Sequence, residues 1–372
     1  MMRGVQGVRK MYLDNAASTR ISNEVENKLK SSLSIFGNPS SEHDEGWKAK
    51  QLIYEATDII SKSLNCKPEE VYYTSGATMG NNIIIQGFLR KYPNAKILYS
   101  AIEHNDIILM AEYFKKSFIK VSVDREGKVN IYELNKLLGE NKYSPILVTI
   151  QAANSEVGTI QDIKQIAKLV HEYNGYFHSD CTQYLPYYDC DVKNLGIDAL
   201  SMSGQKINCI KGTGMMYISE KLEIDPIIFG EQGLIGGTEN VQGIACLGEA
   251  FKHLRYDNNL ELIKKRDYFI EKLNKPLVGS TYRLPNNISL IFKNIKAELF
   301  IELLNQFGIC CSAGSACSSG SNKPSHVLKA MGYSDNDAQS CIRFTICNDT
   351  TYEEMDEAVK IINGLLELEN DN

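Results

Sequence analysis

Residues 145–150 read Pro-Ile-Leu-Val-Thr-Ile, a run apolar on nearly every residue. A strand of this kind buries both faces and belongs in a parallel sheet covered by helices on either side. Comparable short runs stand at 71–74, 96–100, 176–180, 197–200 and 215–218. Helical stretches lie between them, one running through Asn82 and Ile85 and another over 162–173. Strand and helix alternating at this spacing predict an α/β chain with a mainly parallel sheet. At 372 residues the chain is long enough for two domains with sizeable cores. Beyond Tyr256 it turns rich in helix, Asn and Lys before a strand at 288–292. The expected division is therefore a large domain over 15–255 and a smaller α+β domain made of 1–14 and 256–372.

The chemistry gathers where strands end. The run at 197–200 leads into Ser201-Met202-Ser203-Gly204-Gln205-Lys206, and the next strand begins near Met215. A lysine on a small-residue turn between buried strands can be held dry. Desolvation lowers its pKa and makes the amine a nucleophile toward an aldehyde. Alone, Lys206 would read as one more solvated lysine, but the strand at 176–180 ends in His178-Ser179-Asp180, followed by Cys181-Thr182-Gln183. A Schiff-base lysine together with an acid for a pyridinium nitrogen is what pyridoxal 5'-phosphate (PLP) requires. The strand at 71–74 runs through Ser75-Gly76-Ala77-Thr78 into a helix. Free N–H groups and the dipole of a helix start favour an anion there, which assigns Ala77 and Thr78 to the PLP phosphate. His104 follows the strand at 96–100, the usual position for a ligand contact in an α/β sheet.

Two stretches near the end complete the set. Residues 309–321, Ile-Cys-Cys-Ser-Ala-Gly-Ser-Ala-Cys-Ser-Ser-Gly-Ser, are too small and polar for a core element and read as a mobile loop carrying a thiol. Cys310 and Cys311 abut the preceding strand and read as structural. Arg343 stands in the apolar run 341–346. A buried arginine needs an anion, either a ligand carboxylate or an internal salt-bridge partner.

The motifs HSDCTQ, SMSGQK and SAGSACSS, in this order, resemble those of the cysteine desulfurases of the class V aminotransferase family. The similarity extends from Tyr12 to the last helix. It implies a fold-type I PLP enzyme, working as a homodimer, that converts L-cysteine to L-alanine and leaves a persulfide on Cys317 for a sulfur-acceptor protein. It implies that Lys206 carries PLP and that Asp180 keeps the ring nitrogen protonated. His104 would stack on the ring and move protons, and Gln183 would bond the phenolate oxygen. Ser203 and Gln205 would serve the phosphate, Ser155 the cofactor, and Arg343 with Asn154 the substrate. Thr238, in the turn Ile235-Gly236-Gly237-Thr238, would reach the partner subunit's cofactor. The segment from Met11 to Thr19 would pass over the site.

Three positions depart from the family pattern and bear on PLP affinity and rate. Gln205 stands where histidine is usual, Ser155 where asparagine is usual, and Ile235 where arginine is usual. Alanine–glyoxylate aminotransferases of the same class also have glutamine at the position of Gln205. A class V aminotransferase, a selenocysteine lyase and a degenerate PLP-binding interaction protein are therefore the alternatives. Composition adds limits: 43% hydrophobic and 23% charged residues fit a globular chain, and a net charge of −6 offers no reason to expect nucleic acid or anionic membrane. The start lacks the apolar core of a signal peptide, so a cytoplasmic location is expected. Ten cysteines without C-x-x-C spacing point to buried thiols rather than zinc.

Overall fold

The structure, a computed structural model, describes residues 10–230, 233–257, 259–314 and 324–370. Its strands in chain order are β1 (Met11–Tyr12), β2 (Val71–Thr74), β3 (Lys96–Ser100), β4 (Phe118–Val121), β5 (Ile146–Thr149), β6 (Tyr176–Asp180), β7 (Ala199–Ser203), β8 (Gly214–Ile218), β9 (Asn287–Ile291), β10 (Ile309–Cys310) and β11 (Cys341–Thr345). Seven form one sheet in the order β2-β8-β7-β6-β5-β3-β4. The pairings from β4 through β7 are parallel, while β8 runs antiparallel to both β7 and β2. The expected mainly parallel α/β sheet is therefore present.

Its two faces are both covered. Val148, Phe177, Leu200 and Met202 belong to one apolar cluster, and Ile97, Leu147, Ala199 and Met216 to another. Leu147 and Val148 are adjacent, both fully buried, and on opposite faces, as the unbroken apolar run requires. Helices flank these strands and start where the sequence supplies caps. The helix Asp44–Leu64 is capped by His43, whose Nδ1 accepts from Gly46 N at 3.2 Å. The helix Ile163–Glu172 is capped by Asp162, which accepts from Gln165 N at 3.1 Å.

One boundary differs from expectation. The small-residue stretch Ser201-Met202-Ser203, read as a turn, is the second half of β7, and the turn is only Gly204–Lys206. Pairing decides this: Ser201, Met202 and Ser203 stand opposite Met216, Met215 and Gly214 of β8, and all three are buried. Ladder hydrogen bonds and burial outweigh the weak strand preference of serine.

A separate apolar cluster joins Met11 and Leu13 to residues from Leu262 to Leu365. Here β1 pairs with β10 in parallel and β9 with β11 antiparallel. Leu13 N donates to Cys310 O at 2.9 Å, and Thr345 N donates to Leu13 O at 2.7 Å. The start of the described chain is thus laced into strands formed near its end. Among the described residues, no helix is long and apolar enough to cross a membrane.

Candidate active site

The carboxyl ends of β3, β5, β6 and β7 form one rim of the sheet, and β2 ends on the same rim because two antiparallel pairings restore its direction. Winding reverses between β3 and β5, since β4 lies outside β3 and β6 outside β5. Such a reversal opens a crevice at the strand ends. His104 follows β3, Asn154 follows β5, Asp180 closes β6 and Lys206 follows β7, all at this rim.

Lys206 Nζ donates to the carbonyls of Ala16 at 2.6 Å and Ala17 at 2.5 Å. Gln183 Nε2 donates to the same Ala16 oxygen at 3.0 Å. The Gln205 carbonyl accepts from Thr19 N at 2.9 Å and Thr19 Oγ1 at 3.0 Å. The segment 14–19 thus crosses the rim and gathers three expected site residues by main-chain contacts.

The cradle follows from strand register. Thr74 and Ser203 both stand opposite Gly214, which brings the ends of β2 and β7 together. Ala77 N donates to Ser203 Oγ at 2.8 Å, at the start of the helix Ala77–Lys91. Gly76, at φ 152°, has the backbone that glycine adopts and side-chain residues avoid. A Cβ on Gly214 would come 2.5 Å from Gly76 Cα, so the turn closes only because both are glycines.

Behind the rim lies a buried polar chain. Asp180 accepts from Thr182 N at 2.9 Å and Asn81 Nδ2 at 3.1 Å. Asn81 Nδ2 also donates to Asp106 at 3.2 Å, and Asn81 Oδ1 accepts from Ser201 Oγ. His178, fully buried, spans Thr149 Oγ1 at 2.8 Å and Ser201 Oγ at 3.2 Å. Burial pushes its pKa down to about 3, with the Asp106 charge opposing only partly. Glu103 is also fully buried, and its carboxyl is driven well above the usual range by burial first and then by Asp180 and Asp106. Its Oε1 accepts from Gln151 N at 2.9 Å, opposing that shift.

His178 predicts an acid-sensitive fold. Its folded pKa lies below the unfolded value near 6.5, so the stability it contributes is present above that value. It is lost as pH falls below about 6.5, at about 1.4 kcal/mol per unit down toward its folded pKa. Urea unfolding at several pH values should show this acid slope in the parent and a flatter one in His178→Asn. Equal slopes would assign the acid sensitivity to other groups.

Arg343, 2% exposed, holds Asp14 Oδ1 at 2.8 Å through Nη2 and the Ser155 carbonyl at 3.1 Å through Nη1. Of the two anions considered for it, the internal one is its partner here. Asn154 is spent on local structure. Its Oδ1 accepts from Glu156 N and Val157 N at 2.8 and 2.9 Å, and its Nδ2 donates to Ile102 O at 3.0 Å. Thr238 is exposed and lines a cleft of about 640 Å³ together with Thr74, Ser75 and Tyr54 of the same chain. Cys317 lies outside the described residues. Burial pushes the thiol of its neighbour Cys311 far up.

The aminotransferase class-V family model matches residues 11–358. The chain belongs to the class V aminotransferase family. The cysteine desulfurase IscS of Dictyoglomus turgidum is 36% identical over 378 residues, covering 96% of this chain and 95% of that protein. The X-ray structure of a NifS-like protein from Rickettsia africae superposes with TM-score 0.86 at 31% identity, covering 96% of this chain and all of that one. SspA in complex with cysteine superposes with TM-score 0.81 at 30% identity, over 90% of this chain and 98% of that one. The class V fold agrees with the parallel sheet and its rim, and is that of the fold-type I PLP enzymes.

The residues at the rim fit PLP by their chemistry. The cradle offers a helix start, main-chain N–H groups and the hydroxyl of Ser203 for a phosphate. Asp180 offers a carboxylate for a protonated ring nitrogen, Gln183 an amide and Lys206 an amine. Two buried polar atoms beside them, Glu103 Oε2 and Thr182 Oγ1, have no partner among the described residues. Sequence reasoning missed Asn81, Asp106, Asp14 and the Ala16 carbonyl. Asn81 carried one usable signal: it lies four residues after Ala77 and hence on the same helix face.

Proposed function

We propose that this protein is a PLP-dependent cysteine desulfurase that converts L-cysteine to L-alanine and keeps the sulfur as a persulfide on Cys317. The observation that carries the reading is the gathering of Lys206, Gln183 and Gln205 under the segment 14–19, one strand away from Asp180. Its support is the similarity to cysteine desulfurases over nearly the whole chain.

When bound, PLP condenses with amino groups and draws electrons from the substrate's α-carbon. Lys206 would provide the amine that holds it, and the carbonyls of Ala16 and Ala17 that accept from Nζ orient that amine. Asp180, fixed by Thr182 N and Asn81, stabilises a proton on the ring nitrogen. Ala77, Thr78, Ser203 and Gln205 serve the phosphate, and Ser155 with Gln183 the ring oxygen. His104 and Lys206 move protons at the reacting carbon. Arg343 would take the substrate carboxylate beside its pair with Asp14, its Nε having no partner among the described residues. Asn154 acts on the substrate side through the turn it builds. The Cys317 sulfur then attacks the substrate sulfur. An S–S bond forms as the Cβ–S bond breaks, and the remaining three-carbon unit takes up protons and leaves as alanine.

A homodimer fits the surface, since Leu33, Phe36, Trp47 and Tyr54 are exposed, and Tyr54 shares the cleft with Thr238. The separate cores support the division into 15–255 and 1–14 with 256–372. The sulfur passes on to an acceptor protein.

The deciding test supplies L-cysteine and a reductant and measures both products. Alanine and sulfide in equal amounts are expected, whereas a keto acid without sulfide would mark an aminotransferase. A second expectation concerns Gln205, which brings no charge to the phosphate. Gln205→His should retain PLP better by about 1–2 kcal/mol, the worth of one charge-assisted hydrogen bond. Dialysis against PLP-free buffer measures this, and equal retention would mean that other donors already satisfy the phosphate.

A further inference from the structure

His104 and Asp106 are two residues apart at the start of the helix Asn105–Tyr113, and His104 Nδ1 lies 3.0 Å from Asp106 Oδ1. We propose that Asp106 is the positioning residue of His104, its carboxylate keeping the proton on Nδ1 and leaving Nε2 as the nitrogen that exchanges protons in the reaction. The inference rests on His104 acting as the acid–base of the proposed desulfurase.

The carboxylate is held from several sides. Asp106 Oδ1 also accepts from Ile107 N at 2.7 Å, and Oδ2 accepts from Asn81 Nδ2 at 3.2 Å. The Asp106 side chain is 7% exposed, against 36% for that of His104, so the acid is fixed inside while the imidazole faces outward. Burial by itself raises the pKa of this acid. The bond from His104, its charge, the Thr78 hydroxyl and the Asn81 amide outweigh that and keep it ionised. His104 Nδ1 also lies 3.4 Å from Asp106 N, which could donate only to an unprotonated Nδ1. The carboxylate contact is shorter and charge-assisted, so it sets the tautomer.

The Asn81 amide has a second role here. Its two N–H bonds go to Asp106 and to Asp180, which ties the carboxylate beneath the histidine to the one assigned to the ring nitrogen. Among the described residues, Glu103, whose carboxyl interacts with His104, Asp106 and Asp180, and the neutral His178 on β6 are titratable groups in this region. His326, on the helix His326–Ala330, bonds the Glu103 carbonyl through Nε2 at 2.9 Å.

The test is nitrogen NMR of the holoenzyme labelled at its six histidines, with His104 assigned by loss of its signals in His104→Gln. In the parent, neutral His104 should carry its proton on Nδ1. In both Asp106→Asn and Asp106→Ala its titration midpoint should fall by about one pH unit or more, as expected on losing an anionic neighbour. The limb of the pH–rate profile for alanine formation that follows His104 should move with it, and kcat should fall more than KM rises. Unchanged tautomer and midpoint in the folded variants overturn the inference. A shifted midpoint with an unmoved pH–rate profile overturns it too, since the pair would then not govern the proton transfer. Failure of the parent to form alanine and sulfide would overturn the desulfurase reading instead, leaving the imidazole signals to judge the pair.

Discussion

Cys317→Ser is expected to bind PLP and L-cysteine like the parent and to release no sulfur. Loss of a nucleophile costs at least about a thousandfold in rate where no neighbour can replace it. Serine keeps the size and loses the chemistry, since its hydroxyl does not form a persulfide. A thiol at an ordinary pKa of about 8.5 is only a few per cent thiolate at neutral pH. In the proposed desulfurase, a thiol of that kind is activated on approach to the substrate, with His104 or the substrate itself taking up its proton. Mass spectrometry after cysteine treatment should find one added sulfur on the peptide containing Cys317. Cys310→Ser and Cys311→Ser should keep most activity. Cys310 belongs to β10, and the Cys311 thiol is buried and pushed far from ionisation. Full alanine and sulfide production by Cys317→Ser would refute the persulfide step on this residue.

Lys206→Ala should be folded, colourless after dialysis and slower by at least about a thousandfold. The parent should be yellow with PLP bound through a Schiff base, and borohydride reduction should fix the cofactor on the Lys206 peptide. The variant loses the covalent link and the two bonds from Nζ to Ala16 and Ala17. Thr19 still bonds the Gln205 carbonyl, and Gln183 still bonds Ala16, so the segment 14–19 stays in place. Noncovalent PLP can still occupy the cradle, which makes the dialysis step necessary. If reduction of the variant places PLP on another lysine, the role assigned to Lys206 passes to that residue.

These tests rest on residues that the sequence made visible for a physical reason. The unbroken apolar run at 145–150 required a sheet covered on both faces, and in such a sheet the strand ends are where ligands meet the chain. That logic located Lys206, Asp180, His104 and Ala77 before any contact was known. It failed where the partner is remote in sequence or carries no side-chain signature. Asn81 meets Asp180 across 99 residues, and in the sequence it is one polar residue in a helical stretch. Arg343 visibly needed an anion, but nothing near it named Asp14, 329 residues away. The Ala16 carbonyl that collects Lys206 and Gln183 is main chain, and every residue has one. The stretch Ser201-Met202-Ser203 misled in the opposite sense, because its small residues concealed a strand fixed by pairing with β8.

The lacing of Leu13 to Cys310 and Thr345 also fixes when the site can exist. On the ribosome, domains fold as units as the chain emerges, the N-terminal part first. Here β1 has no sheet to join until β10 has been synthesised, and Asp14 has no cation until Arg343 follows. Until those later strands exist, Met11 and Leu13 are apolar residues without their core, while the seven-stranded sheet, complete by Ile218, already has its rim. Closing a loop of that length is a slow, non-local event. The segment that gathers Lys206, Gln183 and Gln205 is therefore translated before the strands it joins and is among the last to lock. A chain released before Thr345 would display the finished seven-stranded sheet without the strand bonds that hold Leu13 beside the segment 14–19.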